Sequence, residues 1–294
     1  MIILLAPDLE ALLDDADSVP RLLSRVFARA TKRSIDSVDA ATELVTGQSI
    51  GPAAIARRYD RPNDASGHWI FADPVILRPD LSAVWIQPAR FEPIDQPAVA
   101  ELDKLFAEFG LSFDLVRPGR AYLRLSHESL AAFAPPWALE GQSMEHVLPK
   151  GEDSRRWIQL LNECQILLHQ HAGEVEETPS GLWFWGSGSL PRSRPSARVS
   201  HLIGAEPGLL ELAEWLKLSY APAESGTPDG SLRAWSPELE HAASESLDRL
   251  EALIRPLWRR LLLGSIDALE LATRRTVFRV TPSDARRFWR RAAQ

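Results

Sequence analysis

Asn162-Glu163-Cys164-Gln165-Ile166-Leu167-Leu168-His169-Gln170-His171 and, a few residues on, Gly181-Leu182-Trp183-Phe184-Trp185-Gly186-Ser187-Gly188-Ser189-Leu190-Pro191 form the most informative stretch of this chain. The first part has apolar residues at helical spacing, and in the second Trp183 and Trp185 alternate with Leu182 and Phe184, so both faces of a strand are apolar before a glycine turn. The order therefore reads helix, loop, buried strand, turn. On the helix, Asn162, Gln165 and His169 recur at i, i+3 and i+7 and share one face. Gly186, Ser187 and Gly188 let backbone N–H groups approach an anion, and Arg192 brings charge nearby. These seven residues are the candidate ligand contacts.

Working outward, Ile2 to Ala6 suits a buried strand, and Val19 to Ala30 suits a helix with Ser18 as N-cap. A helix over about Ala40 to Val45 is followed by a break at Gly51-Pro52 and a short helix ending near Tyr59. Trp69 to Leu77 and Ala83 to Gln87 read as a hairpin across Arg78-Pro79-Asp80. Ala98 to Phe109 carries an apolar stripe and stops at Gly110, and strands follow at Ser112 to Val116 and Ala121 to Leu125. The Pro- and Gly-rich run from Ala134 to Gly151 marks an internal boundary. After it come a helix from Asp153 or Ser154 to His171, helices over Leu209 to Leu218 and Pro237 to Leu263 with a break at Pro256, a strand at Thr276 to Val280, and a last helix from Ser283.

The fold class expected is mixed α/β (α+β), a mixed sheet packed by helices with a helix-rich C-terminal half. Residues 1–135 would form an N-terminal lobe with hairpins, and residues 136–294 a helix-rich lobe holding the Trp-rich strand, unless both belong to one continuous domain.

The stretch that opens this section resembles the Asn-Glu-x-Gln-x-x-x-His-x-His and Leu-Trp-x-Trp-Gly-x-Gly-x-Leu-Pro signatures of the RpfE-type regulatory proteins, a proteobacterial group often labelled predicted cofactor-independent phosphoglycerate mutase. His68 to Asp80 resembles that family's Ala-Asp-Pro-Val-His-Leu-Arg-x-Asp segment, with Ile76 where the family has His, and Arg287-Phe288-Trp289-Arg290-Arg291 resembles its Trp- and Arg-rich tail. His171-Ala172-Gly173-Glu174 also departs from the family's His-Pro-Val-Asn. The resemblance implies a regulatory protein; the label implies a mutase. Mutases of the archaeal type, in the alkaline-phosphatase class, use two metal ions held by several Asp and His residues, with late Asp-His motifs. Here only His241 follows His201, there is no Asp-His pair, and Asp8, Asp14, Asp15 and Asp17 lack a Gly-rich setting.

Composition narrows the rest. The 294 residues are 45% hydrophobic and 25% charged, which suits a folded globular protein, and a net charge of −7 disfavours nonspecific attraction to nucleic acid or anionic membrane. The single cysteine, Cys164, cannot form an intrachain disulfide, and Met1 to Asp8 carries no basic n-region, so the cytoplasm is expected. No apolar run reaches the roughly 20 residues that span a bilayer.

Each candidate also has a plainer structural explanation. His169 and His171 point about 200° apart on a helix and would favour its negative C-terminal end rather than share a metal. Gly186 to Ser189 lacks the Lys-Ser/Thr of a nucleotide loop and can be a tight turn. Cys164 reads as a packed small residue. Arg286, Arg287, Arg290 and Arg291 surround Phe288 and Trp289, a pattern open to a protein partner or a nucleic-acid backbone. The sequence thus points to a noncatalytic regulatory or binding protein with a small-anion pocket, no cofactor or metal, and a protein partner. A metal-dependent mutase-like or phosphatase-like enzyme is the alternative, and an interaction module of a nucleic-acid-processing assembly is the third reading.

Overall fold

The computed structural model describes all residues except 81–82, 90–92, 140–141, 172–177, 239–240 and 288–294. Phe288, Trp289, Arg290 and Arg291 of the arginine-rich tail therefore lie outside the described residues. The chain divides into two compact units, residues 1–49 with 193–294, and residues 50–192. The Pro- and Gly-rich run from 134 to 151 falls inside the second unit.

The first unit opens with β1 (Ile2–Leu5), α1 (Leu9–Asp15), α2 (Arg21–Arg29), β2 (Thr31–Ser34) and α3 (Ala40–Thr46). The chain then builds the second unit from α4 (Pro52–Asp60), β3 (His68–Pro79), β4 (Val84–Pro88), α5 (Gln96–Glu108), β5 (Ser112–Arg117) and β6 (Arg120–Leu125). That unit is completed by β7 (Ala131–Ala132), α6 (Met144–Val147), β8 (Lys150–Gly151), α7 (Ser154–His171) and β9 (Gly181–Gly188). The return to the first unit adds β10 (His201–Ile203), α8 (Pro207–Leu216), β11 (Ser219–Ala221), β12 (Ser231–Ala234), α9 (Ala243–Leu262), β13 (Leu269–Ala272), β14 (Thr276–Val280) and α10 (Pro282–Ala285). The mixed α/β expectation holds.

The first unit carries a seven-stranded sheet in the order β11-β10-β12-β1-β13-β14-β2. β1 pairs in parallel with β12 and β13, and β10 with β11 and β12, while β14 runs antiparallel to β13 and to β2. β1 and β13 are buried at all four positions, as strands covered on both faces must be. Leu4, Leu23, Leu250, Ile254 and Leu271 lie at the centre of its core.

Two helix boundaries here differ from the sequence reading. α2 starts at Arg21 after Pro20, and Ser18 does not cap it; instead the Leu22 N–H donates to Glu251 Oε2 of α9 at 2.7 Å, a cap supplied from 229 residues away. α9 runs on through Pro256. Pro256 and Ala252, whose carbonyl the ring leaves without its helical donor, both face solvent, while Leu250, Ile254, Leu257 and Trp258 anchor the helix on either side of the proline.

In the second unit every strand pair is antiparallel. β9 runs along β3 over Trp69 to Val75, and β6 and β4 pair with the two ends of β3, β5 extending from β6. One face of this sheet packs Ile70, Ala72, Leu182 and Phe184 against α5 and α7 through Leu102, Phe106, Leu161, Cys164 and Leu168. Trp69, Phe71, Tyr122 and Trp185 pack instead with Ala53 and Ala56 of α4. The 68–87 hairpin, α5 and the 112–125 hairpin lie where the sequence placed them.

Among the described residues no helix is long and apolar enough to cross a membrane.

Candidate functional site

The candidates on α7 and those on β9 face different neighbours. α7 buries Trp157, Leu160, Leu161, Cys164 and Leu168, which leaves Asn162 and His169 exposed and Gln165 half-buried. Asn162 borders an open cleft of about 400 Å³ with Asp80, Glu145, Met144 and Ile158, and neither Gln165 nor His169 lines it. His171 turns to α5, its Nε2 3.1 Å from Glu101 and its Nδ1 3.7 Å from Asp95. Burial, with Glu163 adding to it, pushes the Cys164 thiol up, so it packs as an apolar group rather than ionising as a nucleophile.

Gly186, Ser187 and Gly188 lie against the start of α4. A Cβ on Gly188 would stand 2.8 Å from Gly51 Cα, and one on Gly186 2.8 Å from Pro52 Cγ. Gly186 also takes φ +67°, in the left-handed region. The small residues are therefore required by the close approach of α4 to β9. Arg192 is exposed.

A second cluster lies in the first unit, at the carboxyl ends of its parallel strands, where ligands of open α/β sheets gather. Asp8 follows β1, Glu206 follows β10, Ser236 follows β12, and Thr273 and Arg274 follow β13. Arg274 donates to Asp8 Oδ1 at 2.9 Å, and Thr273 Oγ1 donates to Glu10 Oε1 at 2.7 Å. Asp39, the N-cap of α3, accepts from Ala41 N at 3.0 Å and from the Thr42 hydroxyl.

Glu206 is exposed, yet desolvation by its neighbours raises its carboxyl above the usual range; Arg274 opposes the shift, and Asp39 and Asp8 add to it. Desolvation raises Asp39 as well, against the pull of Thr42 and Ala41. Carboxylates and one guanidinium thus share one electrostatic neighbourhood. Of these residues the sequence analysis named only Asp8. β10, β12 and β13 are three or four residues long, and nothing local marks the residue that follows each of them.

Two metal ions are what the mutase likeness implies. Among the described residues no three His, Cys, Asp or Glu side chains come together in a way that could hold a metal ion, so the strand-end residues present do not fit that pair. The place beside Asp8 is taken by Arg274.

No family model matches the chain. Part of it is 33% identical over 84 residues to a probable 2,3-bisphosphoglycerate-independent phosphoglycerate mutase of Geobacter sulfurreducens, covering 26% of this chain and 21% of that protein. The chain is also 24% identical over 161 residues to the 2,3-bisphosphoglycerate-independent phosphoglycerate mutase of Methanosarcina barkeri, covering 51% of this chain and 40% of the relative. The matched regions thus span well under half the length of these relatives. Among solved structures, the cofactor-independent phosphoglycerate mutase of Thermoplasma acidophilum aligns over 95% of this chain and 89% of its own, with a TM-score of 0.38 and 13% identity.

Proposed function

We propose that the chain handles a small phosphorylated acid at the carboxyl ends of β1, β10, β12 and β13, in the manner of the phosphoglycerate mutases it partly resembles. The observation that carries this reading is the grouping of Asp8, Glu206 and Arg274 at those strand ends, in a chain with partial sequence likeness to such mutases. A guanidinium suits a phosphate or carboxylate, and a carboxyl shifted upward as Glu206 is becomes better matched to proton transfer near neutrality. Because the described donors do not fit a metal pair, no step is routed through one. The test is an assay of 3-phosphoglycerate to 2-phosphoglycerate interconversion and of phosphate release, with and without added manganese. Turnover that falls at least about tenfold in Arg274→Ala supports the reading, since losing one charged contact in a binding site is worth about 1.4 kcal/mol or more. Turnover unaffected by Arg274→Ala and Asp8→Asn overturns this location.

The second reading, a noncatalytic regulatory protein of the RpfE type, has its own support in the Asp8–Arg274 ion pair, which ties up a carboxylate and an arginine that catalysis would use. It keeps the anion candidates of α7 (Asn162, Gln165, His169) and those at the end of β9 (Gly186, Ser187, Gly188, Arg192) as two separate alternative locations, and a protein partner. Binding of 3-phosphoglycerate without turnover, measured by calorimetry, favours this reading. Calorimetry on His169→Ala and Arg274→Ala then tells which location binds. The tail is a third route to a partner. Arg286 and Arg287, its described members, hold Leu262 O at 3.0 Å and Asp284 at 3.2 Å, and partner capture with and without residues 283–294 tests it.

A further inference from the structure

The net charge of −7 is not spread evenly along the chain. Residues 18–35 hold Arg21, Arg25, Arg29, Lys32 and Arg33, and residues 252–266 hold Arg255, Arg259 and Arg260, with no acidic residue in either run. α2 and the second half of α9 come from these runs and pack side by side on one face of the seven-stranded sheet through Leu23, Val26, Ile254 and Trp258. Their outer sides therefore turn to solvent together.

α2 ends just before β2, α9 just before β13, and α10 starts just after β14; Thr31 of β2 pairs with Arg279, and Leu269 of β13 with both Val280 and Ile2. These three helix ends thus meet at the amino ends of the parallel strands, the edge opposite Asp8, Glu206 and Arg274. Arg29 ties α2 to the Ala285 carbonyl there, and Arg286 donates to Leu262 O at 3.0 Å.

The solvent face of α9 is Ala252, Arg255, Pro256, Arg259, Leu262 and Leu263, at i, i+3, i+4, i+7, i+10 and i+11. Leu263 is 80% exposed, so its side chain protrudes and contributes almost nothing to the core. Beside it, Arg21, Arg25 and Arg259 are exposed and form no ion pair among the described residues. Arg255 holds Glu251 at 2.8 Å. Of the acidic residues at this edge, Asp284 is taken by Arg287 at 3.2 Å and Asp229 by Arg260, while Asp267 is exposed.

We propose that this edge of the first unit docks on the headgroup layer of an anionic bilayer, with the arginines of α2 and α9 on lipid phosphates and Leu262 and Leu263 between the headgroups. Guanidinium groups without internal partners suit phosphate, and protruding leucines suit an apolar layer lying directly beneath the charges. A nucleic-acid backbone offers the first and lacks the second. Because no helix among the described residues is long and apolar enough to cross a membrane, the contact lies on the surface. Beyond Arg287 the sequence continues with Phe288, Trp289, Arg290 and Arg291, the same pairing of apolar and basic residues.

Sedimentation of the full chain with vesicles tests this, using phosphatidylcholine alone and phosphatidylcholine with about 30% phosphatidylglycerol, at roughly 50 and 500 mM salt. Binding to the anionic vesicles is expected, absent with the neutral ones and released by the higher salt. Arg25→Gln with Arg259→Gln should weaken it about 25-fold, roughly fivefold for each arginine. Leu262→Ser with Leu263→Ser should weaken it about tenfold. All four side chains are exposed, so the melting temperatures of both double variants should match the wild type. Failure to bind anionic vesicles overturns the proposal, and so does binding left unchanged in either double variant. Capture of duplex DNA without capture of vesicles also overturns it and gives the edge to nucleic acid.

Discussion

Each unit holds one of its buried charges between two opposite ones, but with the signs reversed. The first unit buries the Glu270 carboxylate, 2% exposed, on β13, where its Oε1 accepts from Arg279 at 2.6 Å and from Arg198 at 3.0 Å while Oε2 has no partner. The second unit buries the Arg57 guanidinium, 3% exposed, on α4, where it binds Asp64 at 2.6 Å, the Asp64 carbonyl at 2.9 Å, and Asp114, and lies over Trp69 at 4.1 Å. A guanidinium has five donors in a plane and an apolar face, so one residue satisfies two carboxylates and an indole at once. A carboxylate has only oxygens to offer, and here one of them goes unused. The second unit therefore depends on its buried charge more than the first does.

The largest effect that sharpens this contrast is expected from Arg57→Ala. It removes the stacking on Trp69 and the buried cation shared by Asp64 and Asp114, leaving them only the exposed Arg124 at 3.9 Å and Arg61 at 3.4 Å, a loss of about 3 kcal/mol. Glu270→Gln keeps the shape and leaves two arginines that are 32% and 43% exposed and can be solvated, so about 1 kcal/mol is expected. Urea unfolding of both variants measures the difference. A Glu270→Gln loss equal to that of Arg57→Ala would break the comparison.

Next in size is a pair of glycines. Gly51 of the second unit would place a Cβ 2.2 Å from the Ser187 carbonyl oxygen, so Gly51→Ala forces α4 away from β9 and should cost about 2–3 kcal/mol. Gly47 of the first unit has φ +72° and open space around it, so Gly47→Ala carries only the left-handed backbone penalty, about 1 kcal/mol. Thermal melting of each variant reads this out.

The same contrast governs what the sequence made legible. The hairpins and the amphipathic helix of the second unit have partners near in sequence, so periodicity and punctuation found them, although Arg78 and Pro79, read as the turn, continue β3 opposite Trp85 and Val84. Much of the first unit is parallel strands three or four residues long, joined across large separations: Ile3 pairs with Leu232 and Glu270, and nothing near Leu232 or Leu269 announces a strand. The strand-end cluster of Asp8, Glu206 and Arg274 was hidden for the same reason, because proximity there is created by sheet order. The glycine motif was visible, but whether its small residues admit a ligand or a neighbouring helix depends on Gly51, which is 137 residues distant from Gly188. The Arg57 network shows in the sequence only as ordinary surface charges; Asp114 and Trp69 become its partners through the fold alone.

The pH dependence of the two units should also differ, and this is the smallest effect. In the first unit, Asp39 and Glu206 are both raised, so each holds its proton where the unfolded chain has let it go. Their contribution is complete below their unfolded values and is lost as pH rises. The second unit has Asp73, raised by desolvation, acting in that direction, but also Asp153, which works the other way. Desolvation alone would raise Asp153, yet Ser129 Oγ at 2.8 Å, Trp157 Nε1 at 3.3 Å and Leu130 N–H at 3.3 Å bind its carboxylate and leave it lowered. Asp153 therefore stabilises above its unfolded value and is lost as pH falls through the folded one. Asp153→Asn should leave the first unit's acid limb unchanged while removing part of the second unit's, a loss of about 1 kcal/mol at pH 7 that narrows toward pH 3. Hydrogen exchange resolved by unit at pH 4 and 7 distinguishes them. If Asp153→Asn weakens residues 1–49 and 193–294 as much as 50–192, the two units unfold as one and their separate pH behaviour disappears.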